Sequence, residues 1–411
     1  STNISVYGNL TLAIGASYVA LTVNMIGAAG NVNSGGSTSL LGLVINNSGG
    51  TTTLTSAVTL TSTGTTTLTS GNLNLGGFTL TTGTFSSSNT NTRAIAFGAT
   101  NIVLAHATLG TTVLSMADTT NFTYTTSGTF GSGTGCFQST MSVTRTFTFG
   151  TTGGSATNAP RLQLASGASI PTLTSGSWFG EIDFGTTAFT LAATSLNLNS
   201  LYSLSSTSVL TSLTATMVGT GSLRTNTSIG PLIINSTAGT TSLITGGTTT
   251  RSTTCTLTSG TLDINSQTLT CSSTFTFIGG SLSNIGTINC TTFTVNGATF
   301  AFASGTITPS VSFVVSAGAF TYSGTAVLSA VPTFTVSGGA ATFSKAYALS
   351  ATGTFTISGG SLTLGANLTT GIFASSGTVT RSIAFSTFNI VLAHTTAATV
   401  VLSMADLTNF T

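Results

Sequence analysis

The segment from Arg93 to Thr123, RAIAFGATNIVLAHATLGTTVLSMADTTNFT, returns at Arg381 to Thr411 as RSIAFSTFNIVLAHTTAATVVLSMADLTNFT, with more than two-thirds of its positions unchanged. Self-similarity at a fixed offset marks arrays and solenoids, in which one supersecondary unit stacks on copies of itself. The second copy stops where the first runs on into YTTSGTFG, and the chain opens on Ser1. The expectation is therefore one continuous repetitive structure over residues 1–411, excerpted from a longer polypeptide.

A shorter period lies inside the long one. Phe293, Phe313, Phe334 and Phe355 follow one another at steps of 20, 21 and 21, and Phe275 and Leu257 extend the series backwards at spacings of 18. Around the duplicated stretch, Phe85, Ile102 and Phe122 are spaced 17 and 20, as are Phe373, Ile390 and Phe410. A unit of about 17–21 residues is too short for a propeller blade, an ankyrin repeat or a tetratricopeptide repeat. It suits one turn of a parallel β-solenoid, whose short strands stack on the next turn at roughly 4.8 Å. A β-sandwich array would punctuate the chain into domains of about 100 residues, and nothing does so here. The expected fold is all-β, a β-solenoid (parallel β-helix) with turns of about 17–21 residues. Leu257, Phe275, Phe293, Phe313, Phe334 and Phe355 form its expected inward column.

Composition supports that reading. Charged residues make up 3% of the chain, lysine occurs once at Lys345, and 40% of residues are hydrophobic, including 25 Phe. Disorder requires low hydrophobicity and high charge, and the abundant Thr, Val, Ser and Gly disfavour helix while Thr and Val favour strand. Stacking also accounts for the scarcity of charge. Like charges about 4.8 Å apart repel by roughly 0.9 kcal/mol even at water's dielectric constant, and a column of them accumulates the cost. Columns of Thr, Ser and Asn exchange hydrogen bonds instead. A net charge of +2 leaves no basic patch for nucleic acid, and no apolar run is long enough for a transmembrane helix. A transmembrane β-barrel is disfavoured, because its segments would be longer and its lumen positions more polar.

Four groups of residues invite a chemical reading. Glu181 and Asp183, beside the sole tryptophan Trp178 in SWFGEIDFG, are a close acidic pair. On one strand they point the same way, about 6.6 Å apart, a gap resembling that of inverting glycosidases. No Arg, Lys or His is near them in sequence, so Trp178, Glu181 and Asp183 rank as a weak sugar or cation site rather than a catalytic one. Cys255, Cys271 and Cys290 fall near one corner of three successive turns, within disulfide range; one bridge with a leftover thiol and a stack of buried thiols are both open. Without His at ligand spacing they do not suggest zinc. His106 and Asp118, repeated as His394 and Asp406, sit with Ser115 in a pattern that could suggest a triad, but triads are defined by geometry. Both polar residues end apolar strand faces, where they can satisfy turn backbone. Arg93, Arg145 and Arg381 open the similar phrases TRAIAF, TRTFTF and TRSIAF, as expected of arginines capping a strand start with their stems on apolar surface. No catalytic residue, metal or cofactor is expected.

The TRxIAFG phrase, the S-x-G-x-L-x-L turns and the Thr-rich strands resemble the β-strand-repeat proteins, very long proteins encoded by aquatic bacteria and their phages. More loosely, the chain is similar to the shafts of large bacterial adhesins and viral fibres. The resemblance implies a non-enzymatic structural protein that forms the rigid shaft of an extracellular or virion-associated fibre. The alternative is an adhesin stalk that presents a binding tip to a cell surface or polysaccharide. Self-association along or beside the fibre is the expected partnership. A polysaccharide lyase or hydrolase using Glu181 and Asp183, and an ice-binding face of Thr-x-Thr, are the competing classes.

Overall fold

The computed structural model describes residues 2–35, 39–140, 143–164, 171–186, 188–192, 194–244, 250–397, 399–405 and 409–411. Among them there is no helix. The strands pair in parallel, each with its equivalent one turn away, as stacked coils of about 21 residues: a β-solenoid. The chain divides into two compact units, Ser1–Thr227 and Ser228–Thr411.

The second unit shows how the alternating sequence becomes coils. Thr287–Phe302 and Thr306–Tyr322 each run through three faces of a turn. Register shifts between Cys290 and Thr292, and again between Val295 and Thr299, mark the corners. On the first face Leu269, Ile288, Ile307 and Leu328 are stacked in register. On the second, Phe275, Phe293, Phe313, Phe334, Phe355 and Phe373 form one column. On the third, Phe302, Tyr322, Phe343 and Leu364 do the same. Strand side chains alternate between faces, so Phe293 and Val295 are buried while Thr292 and Thr294 face out. The outward hydroxyls bridge turns, Thr292 to Ser312 at 2.9 Å and Thr261 to Ser281 at 3.0 Å.

The phenylalanine rings lie nearly parallel. Centroids are 4.9 Å apart for Phe275–Phe293, 5.1 Å for Phe293–Phe313, and 4.9 Å for both Phe313–Phe334 and Phe334–Phe355, with interplanar angles of 5–13°. Stacks with ring centroids 4.5–7 Å apart contribute about 0.5–1.5 kcal/mol per pair beyond burial. The rise between parallel strands thus sets a ring spacing that aromatic contact favours. At the corner that follows this face, Gly360 holds φ at +79°, and a Cβ there would lie 1.9 Å from the carbonyl oxygen of Gly339. The S-x-G-x-L-x-L turn has glycine there because the chain bends left-handed against the backbone of the previous coil.

The first unit uses the same plan with less regular coils. Its equivalent column runs Val23, Leu43, Thr66, Phe85, Leu114, Phe147 and Leu173. The step from Thr66 to Phe85 is 19, and that from Leu114 to Phe147 is 33.

Two features of the expected period are corrected. Phe85, Ile102 and Phe122 belong to three different strands: Phe85 lies opposite Thr66 and Leu114, Ile102 opposite Leu80 and Phe137, and Phe122 opposite Arg93. Their spacings of 17 and 20 measure distances around a turn, not between turns. The turn in the duplicated stretch is longer than the expected period, running from Phe85 to Leu114 and again from Phe373 to Leu402. The second correction concerns Leu257, which stacks under Phe277, while Cys255 occupies the position under Phe275. A displacement by two positions leaves an inward side chain inward, so Leu257 is still fully buried although it is not in the phenylalanine column.

Candidate functional site

The densest cluster of ionisable groups in the first unit is built on Arg161–Leu164 and Trp178–Asp183, adjacent parallel strands. Their register puts Arg161 opposite Glu181 and Gln163 opposite Asp183. Glu181 Oε2 accepts from Arg161 Nε at 3.0 Å, and its Oε1 accepts from the backbone N–H of Gly131 at 2.8 Å. Asp183 Oδ1 accepts from the N–H of Gly185 at 2.7 Å, and Oδ2 accepts from Gln163 Nε2 at 3.4 Å. Arg161 also donates to the carbonyls of Thr134, at 2.8 Å, and Thr129.

These contacts show what covers the cluster. Residues 127–135, after the strand Phe122–Thr126, lie over Arg161 and Glu181 through Thr129, Gly131 and Thr134. Phe130 sets its ring edge-on to Tyr202 at 5.1 Å, and Gly133 comes so close to Gln163 that a Cβ there would lie 1.8 Å from Nε2. Glu181 and Asp183 are 4% and 3% exposed. Burial raises the pKa of both carboxyls, Arg161 opposing it for each. The acids expected to open a sugar or cation site with Trp178 are instead closed in, with their oxygens engaged by protein groups. Trp178, half-buried, packs against Gly154 and pairs in register with Asn197. Chemically, the arrangement can neutralise charge within a stack, the one thing the coil geometry requires of a charged residue.

Arg161 is the member that reading along the chain misses, because a whole turn separates it from Glu181. The signal is present nonetheless: R-x-Q at 161–163 and E-x-D at 181–183 are complementary at one turn's separation.

The cysteines lie together as a group. Cys255 and Cys271 form a disulfide with Cα atoms 5.9 Å apart, and Cys290, opposite Cys271 in register, is a buried free thiol. Burial pushes the Cys290 thiol up to about 12, and the same holds for the solitary Cys136. Neither presents a thiolate nucleophile near neutral pH. No cluster of three or more His, Cys, Asp or Glu suited to a metal ion occurs among the described residues.

His106 and Asp118 serve their own turns. His106 Nδ1 accepts from the N–H of Thr108 at 3.1 Å, and Asp118 Oδ1 accepts from that of Thr120 at 2.9 Å. Hydrogen bonds from Thr120 hold the Asp118 carboxyl below its ordinary range. His394 repeats the His106 contact with Thr396 at 3.0 Å; Asp406 lies outside the described residues. Ser115 sits in the ladder between Ser86 and Thr148.

The three arginines are buried rather than laid along the surface. Each follows a serine at the same short spacing and donates to its hydroxyl: Arg93 to Ser87 at 2.8 Å, Arg145 to Ser139 at 3.2 Å, and Arg381 to Ser375 at 3.1 Å. Further donors reach backbone carbonyls, such as those of Asp118 and Thr120 for Arg93 and Leu104 for Arg145, and Arg93 also donates to Asn89 Oδ1 at 2.9 Å. Guanidinium has five donors in a fixed fork, which suits it to gathering carbonyls at strand ends and the corners beside them. The S-x5-R spacing of the TRxIAFG phrase is thus a structural device.

No family model, curated protein or solved structure matches the chain. No helix among the described residues is long and apolar enough to cross a membrane.

Proposed function

We propose that the chain is a non-enzymatic structural protein, the stiff shaft of an extracellular or virion-associated fibre, as its likeness to β-strand-repeat proteins implies. The observation that carries this reading is the phenylalanine column of the second unit, stacked without a break from Phe275 to Phe373. Parallel ladders joined by such a column resist bending and shear, and their length grows with the number of turns. The side chains that most resemble chemical groups, Glu181, Asp183, Arg93 and Arg145, are buried in holding coils together. The Cys255–Cys271 disulfide accords with an oxidising location outside the cytosol. Low charge density favours lateral association of such shafts.

Immunogold labelling with antibodies against the purified chain tests the proposal. Gold should decorate filaments along their length on the cells or virions that carry the protein. Label confined to filament tips would favour a binding role, and label dispersed through the cytoplasm would overturn the shaft assignment.

A further inference from the structure

Among the described residues, strands of the second copy occupy the positions of strands in the first, but their burial differs. In the first copy Phe97, Leu104 and Leu114 have no exposed surface; their counterparts Phe385, Leu392 and Leu402 are 46%, 37% and 52% exposed. These residues, with Phe373, Ile390 and Phe410 among others, line an apolar cavity of about 300 Å³ at the edge of the second unit. Among the described residues the strands there have a partner on one side: Ile390–Leu392 pairs with 368–370, and Leu402–Ser403 with 373–374.

The first copy shows what covers such a face. Phe137 pairs with Ile102 and sets its ring against Phe85 at 5.1 Å and Phe97 at 5.3 Å. Phe147 lies opposite Leu114, and Phe149 packs on Phe122 at 5.6 Å. Phe85, Phe97 and Phe122 correspond to Phe373, Phe385 and Phe410, so the cavity lies where the first copy receives the Phe137 ring. Apolar surface of this extent on a parallel edge is an association site.

We propose that the face formed by Phe385, Ile390, Leu392, Leu402 and Phe410 docks one further β-solenoid coil of the sequence type of residues 137–149. The coil adds in parallel register and seats a phenylalanine in the cavity. Specificity comes from two requirements met together: an extended segment that hydrogen-bonds to the 390–392 and 402–403 edges, and phenylalanines at the Phe137 and Phe149 positions. The inference concerns one edge of the second unit and does not depend on the shaft reading.

The full chain, mixed with a synthetic peptide of residues 124–164, tests it by amide hydrogen exchange. Exchange at 390–392 and 402–403 should slow at least tenfold, a peptide carrying Phe137→Ala should lose most of that protection, and a scrambled peptide should give none. A fusion placing residues 124–164 directly after Thr411 removes the cost of bimolecular association and should protect the same amides. Unchanged exchange in both the peptide and fusion experiments overturns the proposal. So does equal protection by the scrambled peptide, which would make the face merely adhesive. Protection that rises with protein concentration in the absence of peptide would assign the face to a second copy of the chain and likewise overturn it.

Discussion

The stacked geometry gives each inward residue a neighbour at the equivalent position one turn away, so single substitutions there act on a column. Phe334 is fully buried and stacks on Phe313 and Phe355 at 4.9 Å each. Truncation to alanine removes two ring contacts and leaves a cavity that the flanking coils cannot close, since their spacing is set by the ladders. Phe334→Ala should destabilise the second unit by about 3–5 kcal/mol, read by denaturant unfolding, whereas Phe334→Leu should cost clearly less. The acids of the first unit answer to pH in a direction their burial dictates. Folded Glu181 and Asp183 have raised pKa values, so the folded state binds more protons than the unfolded one between the two titrations. Their contribution to stability is full below the ordinary carboxylate range and is lost as pH rises through the folded values. Lowering the pH from about 7 to 4, toward ordinary carboxyl values, should raise the melting temperature of the first unit, and Glu181→Gln should flatten the dependence. A melting temperature that falls across that window in the wild type, by an amount that Glu181→Gln diminishes, would show that the Arg161 pairing outweighs desolvation.

At the scale of the element, what could be read from the sequence depended on whether a turn carries excursions. The coils from Phe293 to Phe355 have short corners, so the spacing of their phenylalanines equals the turn length and the column was legible. In the duplicated stretch the longer turn holds extra corner residues gathered by Arg93 and Arg381, and prominent apolar residues there mark successive faces instead. Contacts between turns were the least accessible. Arg161 and Glu181 meet only through register, and Cys271 has Cys255 and Cys290 as neighbours at the same corner, a choice that spacing leaves open. Corner glycines are the elements' own signal, and they give a direct test. With φ at +79° and the Gly339 oxygen at 1.9 Å from a would-be Cβ, Gly360→Ala combines left-handed strain with a backbone clash. It should destabilise the second unit by more than ~1 kcal/mol, whereas alanine at Gly49, which has left-handed φ but nothing near its Cβ, should show the strain alone. Equal losses at the two positions, each compared with its own unit's wild-type stability, would remove the clash from the account.

For the whole molecule, stacked repeats predict that the chain tolerates removal of a complete coil better than removal of a slightly different length. Phe313 and Phe334 are in register one turn apart, each beginning the second face of its coil. Deleting residues 313–333 joins Ser312 to Phe334 and leaves Phe334 above Phe293, with Thr335 outward and Val336 inward as before. Deleting residues 313–334 removes one residue more and joins Ser312 to Thr335. Side chains alternate with a period of two, so this single step places Thr335 in the phenylalanine column and turns Val336 to solvent. The Thr292–Ser312 hydroxyl bond fixes the end of the corner before Phe313, although that corner holds Ser310 and Val311 where the coil below has Thr291 alone. Stability in a solenoid is approximately a sum of turn and interface contributions. The whole-coil deletion should therefore keep cooperative unfolding with a modest fall in melting temperature. The longer deletion should lose several kcal/mol through an exposed valine, a buried threonine and two broken ring contacts. Thermal unfolding of the two variants, followed by circular dichroism beside the intact chain, measures the difference. Indistinguishable melting curves for the two deletions would mean that register across the second face is not what holds these coils together.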